Sequence, residues 1–595
     1  MRPFERAFAT RKPYSMKLDG EKKEAWKTAL DFLSRRAAVL LCALLLTLMA
    51  VEMLAVIRQK SITVDEWVMI PAGYYHLTAG DFRPVNEHPP FAKTLAATPL
   101  LMIGAQAPTI AAAPHDDDYF ADKLDDFWHQ NAARFDYLSF WARVPAILVT
   151  VLLGALVFVY ARRYWGARAA LFAVALFSLE PTVLAHGRVV QTDIPSALGL
   201  LLFSFTFYEY LKAPNINRAL WVGWTVGLAA VTKFSMIALV PVVGLVLVIL
   251  FIFAPRRGLK RAHVAGHALA FALTAVLAVN AAYLFQHRQP DPLYDVGVDE
   301  VSSTRLETGF YALRFILPTD FISGIEWQLD HTREGHQAGL LGMWSKHGWW
   351  YYFPVAFALK TPLPILLMSL AGLVWALVRL RREPEGRLLV LVLPLVLFTC
   401  LLMLSTINIG VRYYLPAYPF FFILSGAMLD DLLRRAGHRA IFMSLLVAAL
   451  FCWVAIEAVR AYPDHMTYMN QLASRAPHWW YLSDSNVEWG DDVRDLALYL
   501  RSRGERRIGE AILNRPLLDM YGIESTPVFA PPGDKPEEVR YVAIGASFLN
   551  GSVVHDHFDD DTPLSETERV NYFDQYRRRT PEKIFGNSIY LYRMK

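Results

Sequence analysis

The sequence predicts a polytopic α-helical membrane protein of about eleven spanning helices with a small C-terminal soluble α/β domain. Three observations predict it. Of 595 residues, 54% are hydrophobic and 19% charged, and the apolar residues gather in long runs instead of at amphipathic spacing. That is the pattern of a chain dissolved in lipid. Lys and Arg cluster between alternate runs, and the composition shifts after residue 460 to that of an ordinary soluble domain.

Residues 1–36 are rich in Lys and Arg, and the run Ala37–Ile57 follows with no small-residue cleavage pattern behind it. This is a retained first helix preceded by a cytoplasmic segment, not a signal peptide. A hydrocarbon core about 30 Å thick needs roughly 20 apolar residues per crossing. Runs near that length lie at 37–57, 143–160, 167–185, 194–211, 218–232, 236–254, 263–285, 354–378, 388–405, 413–430 and 440–460. The stretch 218–254 is too long for one crossing and is split at Thr232–Ser235. In the resulting eleven-span arrangement the N-terminal segment, Arg162/Arg163/Arg168, Arg256/Arg257/Lys260/Arg261, Arg379/Arg381/Arg382/Arg387 and Arg434/Arg435/Arg439 all fall on one side. The positive-inside rule makes that side the cytoplasm.

The opposite face then carries loops 58–142 and 286–353 and the tail 461–595, so residues 37–460 form the membrane module. In the first loop, apolar stretches near Trp67–Leu77 and Phe91–Ile103 are too short to span and suit interfacial helices. The acidic stretch from His115 to Asp126 reads as a solvated loop, and Trp349–Tyr352 as an aromatic belt before a span. In the tail, Arg494–Arg501 predicts a helix, and Ile508–Leu513, Val539–Ala546 and Ser588–Tyr592 predict strands.

Several function classes are excluded. A net charge of +4 gives no overall field for nucleic acid. Cys42, Cys400 and Cys452 all lie in apolar runs, which removes a disulfide framework and a Cys-based zinc site. There is no internal repeat and no nucleotide-binding glycine loop. His331 and His336, spaced i,i+5, do not share a helical face, so a zinc site there is not favoured.

The remaining polar residues at the ends of the spans all belong to one face: Asp65, Glu66, Glu87, His88, Lys93, Arg188, Asp193, Lys233, His336, Lys360 and Arg412. Ionisable groups near lipid are costly and tend to be paired or functional. A carboxylate such as Asp65 or Glu66 can act as a base toward a hydroxyl or amine, and Lys93, Lys233 and Arg412 can stabilise a leaving phosphate. Neither a nucleotide nor a metal is required; a divalent metal is compatible with these residues but not indicated by them. A transporter or flippase of lipid-linked sugars is the alternative, since such residues also mark substrate pathways. Against it, the polar groups crowd one face instead of the midplane.

Asp65-Glu66 after the first helix, followed by His88-Pro89-Pro90-Phe91-Ala92-Lys93, resembles the acidic pair and the HPPxxK stretch of the GT-C superfamily, in particular the protein O-mannosyltransferases and their bacterial relatives. Arg188 to Asp193 is similar to the second acidic motif. Gly348–Pro354 with Lys360-Thr361-Pro362, Arg412–Pro416, and Asp484–Asp492 are similar to segments of bacterial family 39 glycosyltransferases. The resemblance spans nearly the whole chain, and aminoarabinose transferases share the architecture. It implies an inverting transferase that moves a monosaccharide from a polyprenyl-phosphate carrier to a lipid, glycan or protein acceptor. Asp65 is then the base, Glu66 and Asp193 shape the acceptor and sugar pocket, and Lys93, Arg188, Lys233, Lys360 and Arg412 hold the phosphate. His88, His336 and Tyr413 complete the pocket. The tail is not the β-trefoil module of eukaryotic O-mannosyltransferases, so protein acceptors do not follow from the resemblance. The expected location is the plasma (inner) membrane, with the site and the C-terminal domain on its periplasmic or extracellular side and no nucleic-acid partner.

Overall fold

The computed structural model describes residues 20–110, 117–289, 313–382, 385–529, 539–554 and 564–594. Its first helix, α1 (Gly20–Ile57), illustrates how the membrane module is built. Ala38, Cys42, Leu46, Met49 and Met53 turn inward, while Leu40, Leu44, Leu48 and Val51 remain exposed along the other side. Such a helix is apolar all round because its outer face meets lipid. Among the described residues, eight helices are long and apolar enough to cross a membrane, from Arg36–Ile57 to Gly437–Ala461. The eleven runs expected from sequence are all helical, but three fall short of that standard. Ala167–Ser178 and Ile216–Ala230 are too short, and Tyr418–Arg435 carries two Asp and two Arg.

The first loop folds into helices α2 (Val64–Thr78), α3 (Pro90–Met102) and α4 (Asp117–Gln130) before α5 (Phe135–Trp165) re-enters the membrane module. Thr63 and Glu66 form a capping box that starts α2, and Pro90 at its first position starts α3. The two helices cross so closely that a Cβ on Gly73 would stand 2.0 Å from the Lys93 carbonyl oxygen. The acidic stretch is not a solvated loop over its described part. Phe120, Leu124, Phe127 and Trp128 recur at helical spacing and are buried, Asp118, Asp122 and Asp126 stand exposed on the other side of α4, and Asp125 accepts from the Trp67 indole N–H at 3.0 Å. Trp128 donates its indole N–H to the Trp67 carbonyl at 2.7 Å, which fastens α4 to α2. His115 and Asp116 lie outside the described residues.

After α5 come α6 (Ala167–Ser178), α7 (Pro181–His186) and α8 (Asp193–Lys212). A hairpin, β1 (Ala338–Leu340) and β2 (Met343–Ser345), packs on the tail. The tail holds the expected helix, at Val493–Ser502, and a five-stranded mixed sheet of β3 (Arg507–Ala511), β4 (Glu524–Pro527), β5 (Tyr541–Gly545), β6 (Lys583–Phe585) and β7 (Ile589–Arg593), in the order β4-β3-β5-β7-β6. Two strands of this sheet were not expected, β4 and β6, both short edge strands.

A fully buried ion pair ties α2 to the membrane module. Glu66 is fully buried and accepts from Arg143 of α5 at 2.7 and 2.5 Å, from the Thr63 amide at 2.8 Å and from the Val190 amide at 3.0 Å. Arg143, itself 2% exposed, also donates to the Lys60 and Ser61 carbonyls. Removing one member of a buried pair strands the other's charge. Arg143→Met should therefore lower stability by about 3–5 kcal/mol, read as a fall in the thermal unfolding midpoint, and adding Glu66→Gln should recover much of it. An unchanged midpoint in Arg143→Met would show that the pair does not hold α2.

Candidate active site

Neighbouring residues on a helix point about 100° apart, so the acidic pair at the start of α2 is divided between two tasks. Glu66 turns into the Arg143 pair. Asp65 turns the other way, where its Oδ2 accepts from Arg412 Nη1 at 2.6 Å and its Oδ1 from Trp489 Nε1 at 3.3 Å. Arg412 sits in a 3-10 turn, Val411–Ala417, whose first amide is held by Asn486 Oδ1 at 2.9 Å. Its guanidinium lies 4.1 Å from the centre of the Trp489 ring and 5.4 Å from that of Tyr413. The aromatic faces and the carboxylate fix the arginine in a cation–π stack.

A second pair stands beside the first. Asp193, at the start of α8, forms an ion pair with Lys233, which lies in the break after the helix Ile216–Ala230. The Lys233 ammonium is 3.6 Å from the centre of the Tyr413 ring, so Tyr413 separates the two cations and contacts both. Two buried atoms in this cluster, Arg412 Nε and Asp193 Oδ2, have no hydrogen-bond partner among the described residues. Buried polar atoms are rarely left unpaired, and one reason for an exception is a ligand.

The electrostatics follow from the pairing. Burial opposes the charge of Asp65, but the Arg412 guanidinium, His88 and the Trp489 N–H outweigh it and hold the carboxyl below its ordinary range. His88 is pushed down to about 3 by burial; Asp65 opposes this, while Lys93, Arg412 and Lys233 add to it. It is a neutral imidazole at physiological pH, able to donate or accept one hydrogen bond. Lys93 falls to about 7 through burial, against the pull of Glu87 and Asp320.

Six of the residues singled out from sequence thus share one cluster: Asp65, His88, Asp193, Lys233, Arg412 and Tyr413. The others are directed elsewhere. Lys93 donates to the Val85 carbonyl at 2.6 Å, and Lys360 to the carbonyls of Met466 and Asn486, both at 2.6 Å. Arg188 meets Asp491 at 3.4 Å. In these contacts the three cations tie loops together. His336 is partly exposed and lies 3.9 Å from Asp484. Its ring centroid is 5.5 Å from that of His331, because the helix Thr319–Glu334 ends between them and the i,i+5 argument no longer applies. No group of three His, Cys, Asp or Glu side chains arranged to hold a metal occurs among the described residues.

Trp489 and Arg143 escaped the sequence reading as site residues. Arg143 carried a usable signal, a lone charge at the head of an apolar run. Trp489 lies inside the Asp484–Asp492 motif, and nothing in its spacing tells that its ring carries an arginine from 77 positions upstream.

Residues 134–281 match the family described as dolichyl-phosphate-mannose-protein mannosyltransferase. That segment contains Arg143, Arg188, Asp193 and Lys233. No curated protein matches the chain. Among solved structures it is similar to ArnT from Cupriavidus metallidurans bound to undecaprenyl phosphate, at 13% identity and a TM-score of 0.44 over 84% of this chain and 92% of that one. The same protein in the apo state gives 13%, 0.45, 93% and 98%. The apo Archaeoglobus fulgidus oligosaccharyltransferase gives 12% identity and a TM-score of 0.46, over 85% of this chain and 69% of that one. That family segment, about a quarter of the chain, runs from α5 through α8 to the helix Arg261–Ala282, and the chain's likeness to membrane glycosyltransferases of the GT-C kind rests on it.

Proposed function

We propose that the protein transfers a monosaccharide, with inversion, from a polyprenyl-phosphate carrier to a hydroxyl or amine acceptor at the Asp65–Arg412 cluster, on the non-cytoplasmic side of the membrane. One observation carries this reading. A carboxylate and a guanidinium form a pair at the end of the spanning helices, beside a carboxylate–ammonium pair, with one donor atom and one acceptor atom left over. The alternating basic loops support the assignment of side.

The donor brings a phosphate diester, which exchanges for Asp65 as partner of Arg412 and is also met by Lys233. Asp65 then loses its principal compensating charge. Its affinity for a proton rises as the acceptor arrives, so it becomes a better base only when the donor is bound. The acceptor oxygen or nitrogen attacks C1 of the sugar, the C1–O bond to phosphate breaks, and the acceptor's proton passes to Asp65. The electron pair leaves with the carrier as polyprenyl phosphate, whose added negative charge falls on Arg412 and Lys233. Asp193 keeps Lys233 in place. Glu66, with its oxygens taken by Arg143 and two amides, is a positioning residue that sets the direction of Asp65.

Asp65→Asn preserves shape but cannot accept a proton, so turnover at saturating donor should fall by ~10² or more while carrier-lipid binding survives. Initial rates with a labelled polyprenyl-phosphate sugar, together with direct donor binding, check this; near-normal turnover would remove Asp65 as the base.

For Arg412→Ala, donor binding should weaken more than acceptor binding, because a planar guanidinium is lost from the phosphate. Equal effects on the two affinities would take the phosphate away from Arg412.

The exchange of partners also predicts a pH effect. Paired with Arg412, Asp65 titrates below its ordinary value; relieved of that pairing, it titrates higher. The acid limb of kcat, which reports the complex, should lie at higher pH than the acid limb of kcat/KM for the donor, which reports the donor-free enzyme. Coincident limbs would mean that the donor does not displace Asp65.

A further inference from the structure

Away from the Asp65–Arg412 cluster, a cavity of about 410 Å³ opens where α1 ends and α5 begins. Its floor includes Ile57 and Phe140 from the ends of those helices, and its roof is Arg494 and Tyr521 of the C-terminal domain. Neither Asp65 nor Arg412 lines it. Small-ligand pockets run from about 300 to 1,000 Å³, so its volume suits a compact group and not a packing defect.

The lining is divided by chemistry. On the membrane side, Tyr137 and Trp141 are 50% and 38% exposed in the first turns of a spanning helix, where aromatic rings sit at headgroup level. On the other side stands Arg58, the first residue beyond α1, with its guanidinium 5.1 Å from the centre of the Phe140 ring. It forms no salt bridge with any described carboxylate, whereas Arg494 is met by Asp136 at 3.5 Å and Lys60 is enclosed by Asp464, Asp492 and Asp495. One uncompensated cation therefore faces a cavity open at the level of lipid headgroups. Tyr521 donates its hydroxyl to Asp136 at 3.2 Å, and Arg494 donates to the Arg58 carbonyl, so the roof is built rigidly onto the floor.

We propose that this cleft binds the phosphate headgroup of an anionic phospholipid, with the phosphate on Arg58 and the acyl chains leaving past Trp141 into the bilayer. The charge calls for an anion, and the exposed aromatic rings call for one that carries a hydrocarbon tail. A bound lipid there seats the C-terminal domain on the membrane surface without entering the transfer reaction.

The full-length protein reconstituted in nanodiscs of equal phosphatidylglycerol and phosphatidylcholine tests this, with retained lipid counted by native mass spectrometry. Wild type should retain one phosphatidylglycerol. Arg58→Ala should lower that retention about tenfold, the scale of one charge-assisted contact, and Arg58→Lys, which keeps the charge, should restore most of it. Arg58 is exposed and its side chain has only a ring contact, so both variants should fold, with the thermal unfolding midpoint as control. Undiminished retention in Arg58→Ala, equal retention of phosphatidylcholine, or displacement of the lipid by millimolar inorganic phosphate would each overturn the assignment. So would a loss of donor binding in Arg58→Ala with phosphatidylglycerol still retained, which would give the cleft to the sugar carrier.

Discussion

The site depends on one constraint: the segment Asp484–Asp492 is both highly polar and buried, and every charge and amide it carries must find a partner. Its partners are the pieces of the candidate site. The carbonyl of Trp489 accepts from the Val64 amide and that of Asp491 from the Ser61 amide, each at 2.9 Å, which sets the start of α2 and therefore Asp65. Asn486 holds the turn that carries Arg412, and the Trp489 ring supports its guanidinium. Asp492 takes Lys60, Asp491 takes Arg188, and the Asn486 carbonyl takes Lys360. Both members of the Asp65–Arg412 pair are thus located by the same nine residues, although they are 347 positions apart in the chain. Buried charge unpaired on this scale would be prohibitively costly, so the segment allows little freedom in how its partners sit.

Local charge balance has a consequence for chemistry. Asp65 and Asp193 each face one cation, so the resting cluster is close to neutral and needs no counter-ion from solvent. In the proposed reaction an arriving phosphate would change that balance by one charge and find its donors already oriented. Donors that need not reorganise stabilise developing charge better than mobile ones, and the stack of Arg412 on Trp489 with Tyr413 between the cations supplies that rigidity.

Much of this was legible in the sequence, for identifiable reasons. Apolar run length fixes where helices are, and the placement of Lys and Arg fixes which loops lie together, so Asp65, Asp193, Lys233 and Arg412 were assigned to one face before any contact was known. What a sequence does not state is direction. Lys93 and Lys360 carry the same charge as Lys233, yet they end on backbone carbonyls because the loops around them fold over their side chains. In the acidic stretch before α5 the density of aspartates hides an apolar face at helical spacing, so charge alone points to a loop where the period points to a helix. The apolar helices that fall short of spanning length stop at breaks in the chain, at Leu179–Glu180 and at Thr232–Lys233, which a hydropathy window does not register.

The C-terminal domain belongs to the site through Glu488. That side chain is fully buried, where desolvation pushes its carboxyl up to about 8, and it accepts from the Leu513 amide after β3 and the Ser547 amide after β5 at 2.7 and 2.9 Å. A Cβ on Gly545 would stand 2.0 Å from its Oε1, so the end of β5 approaches as closely as glycine permits. The two parallel strands therefore present their C-terminal ends to the middle of Asp484–Asp492 and hold it against the membrane module. The sheet braces the segment that locates Asp65 and Arg412, and β4 and β6 form its two opposite edges.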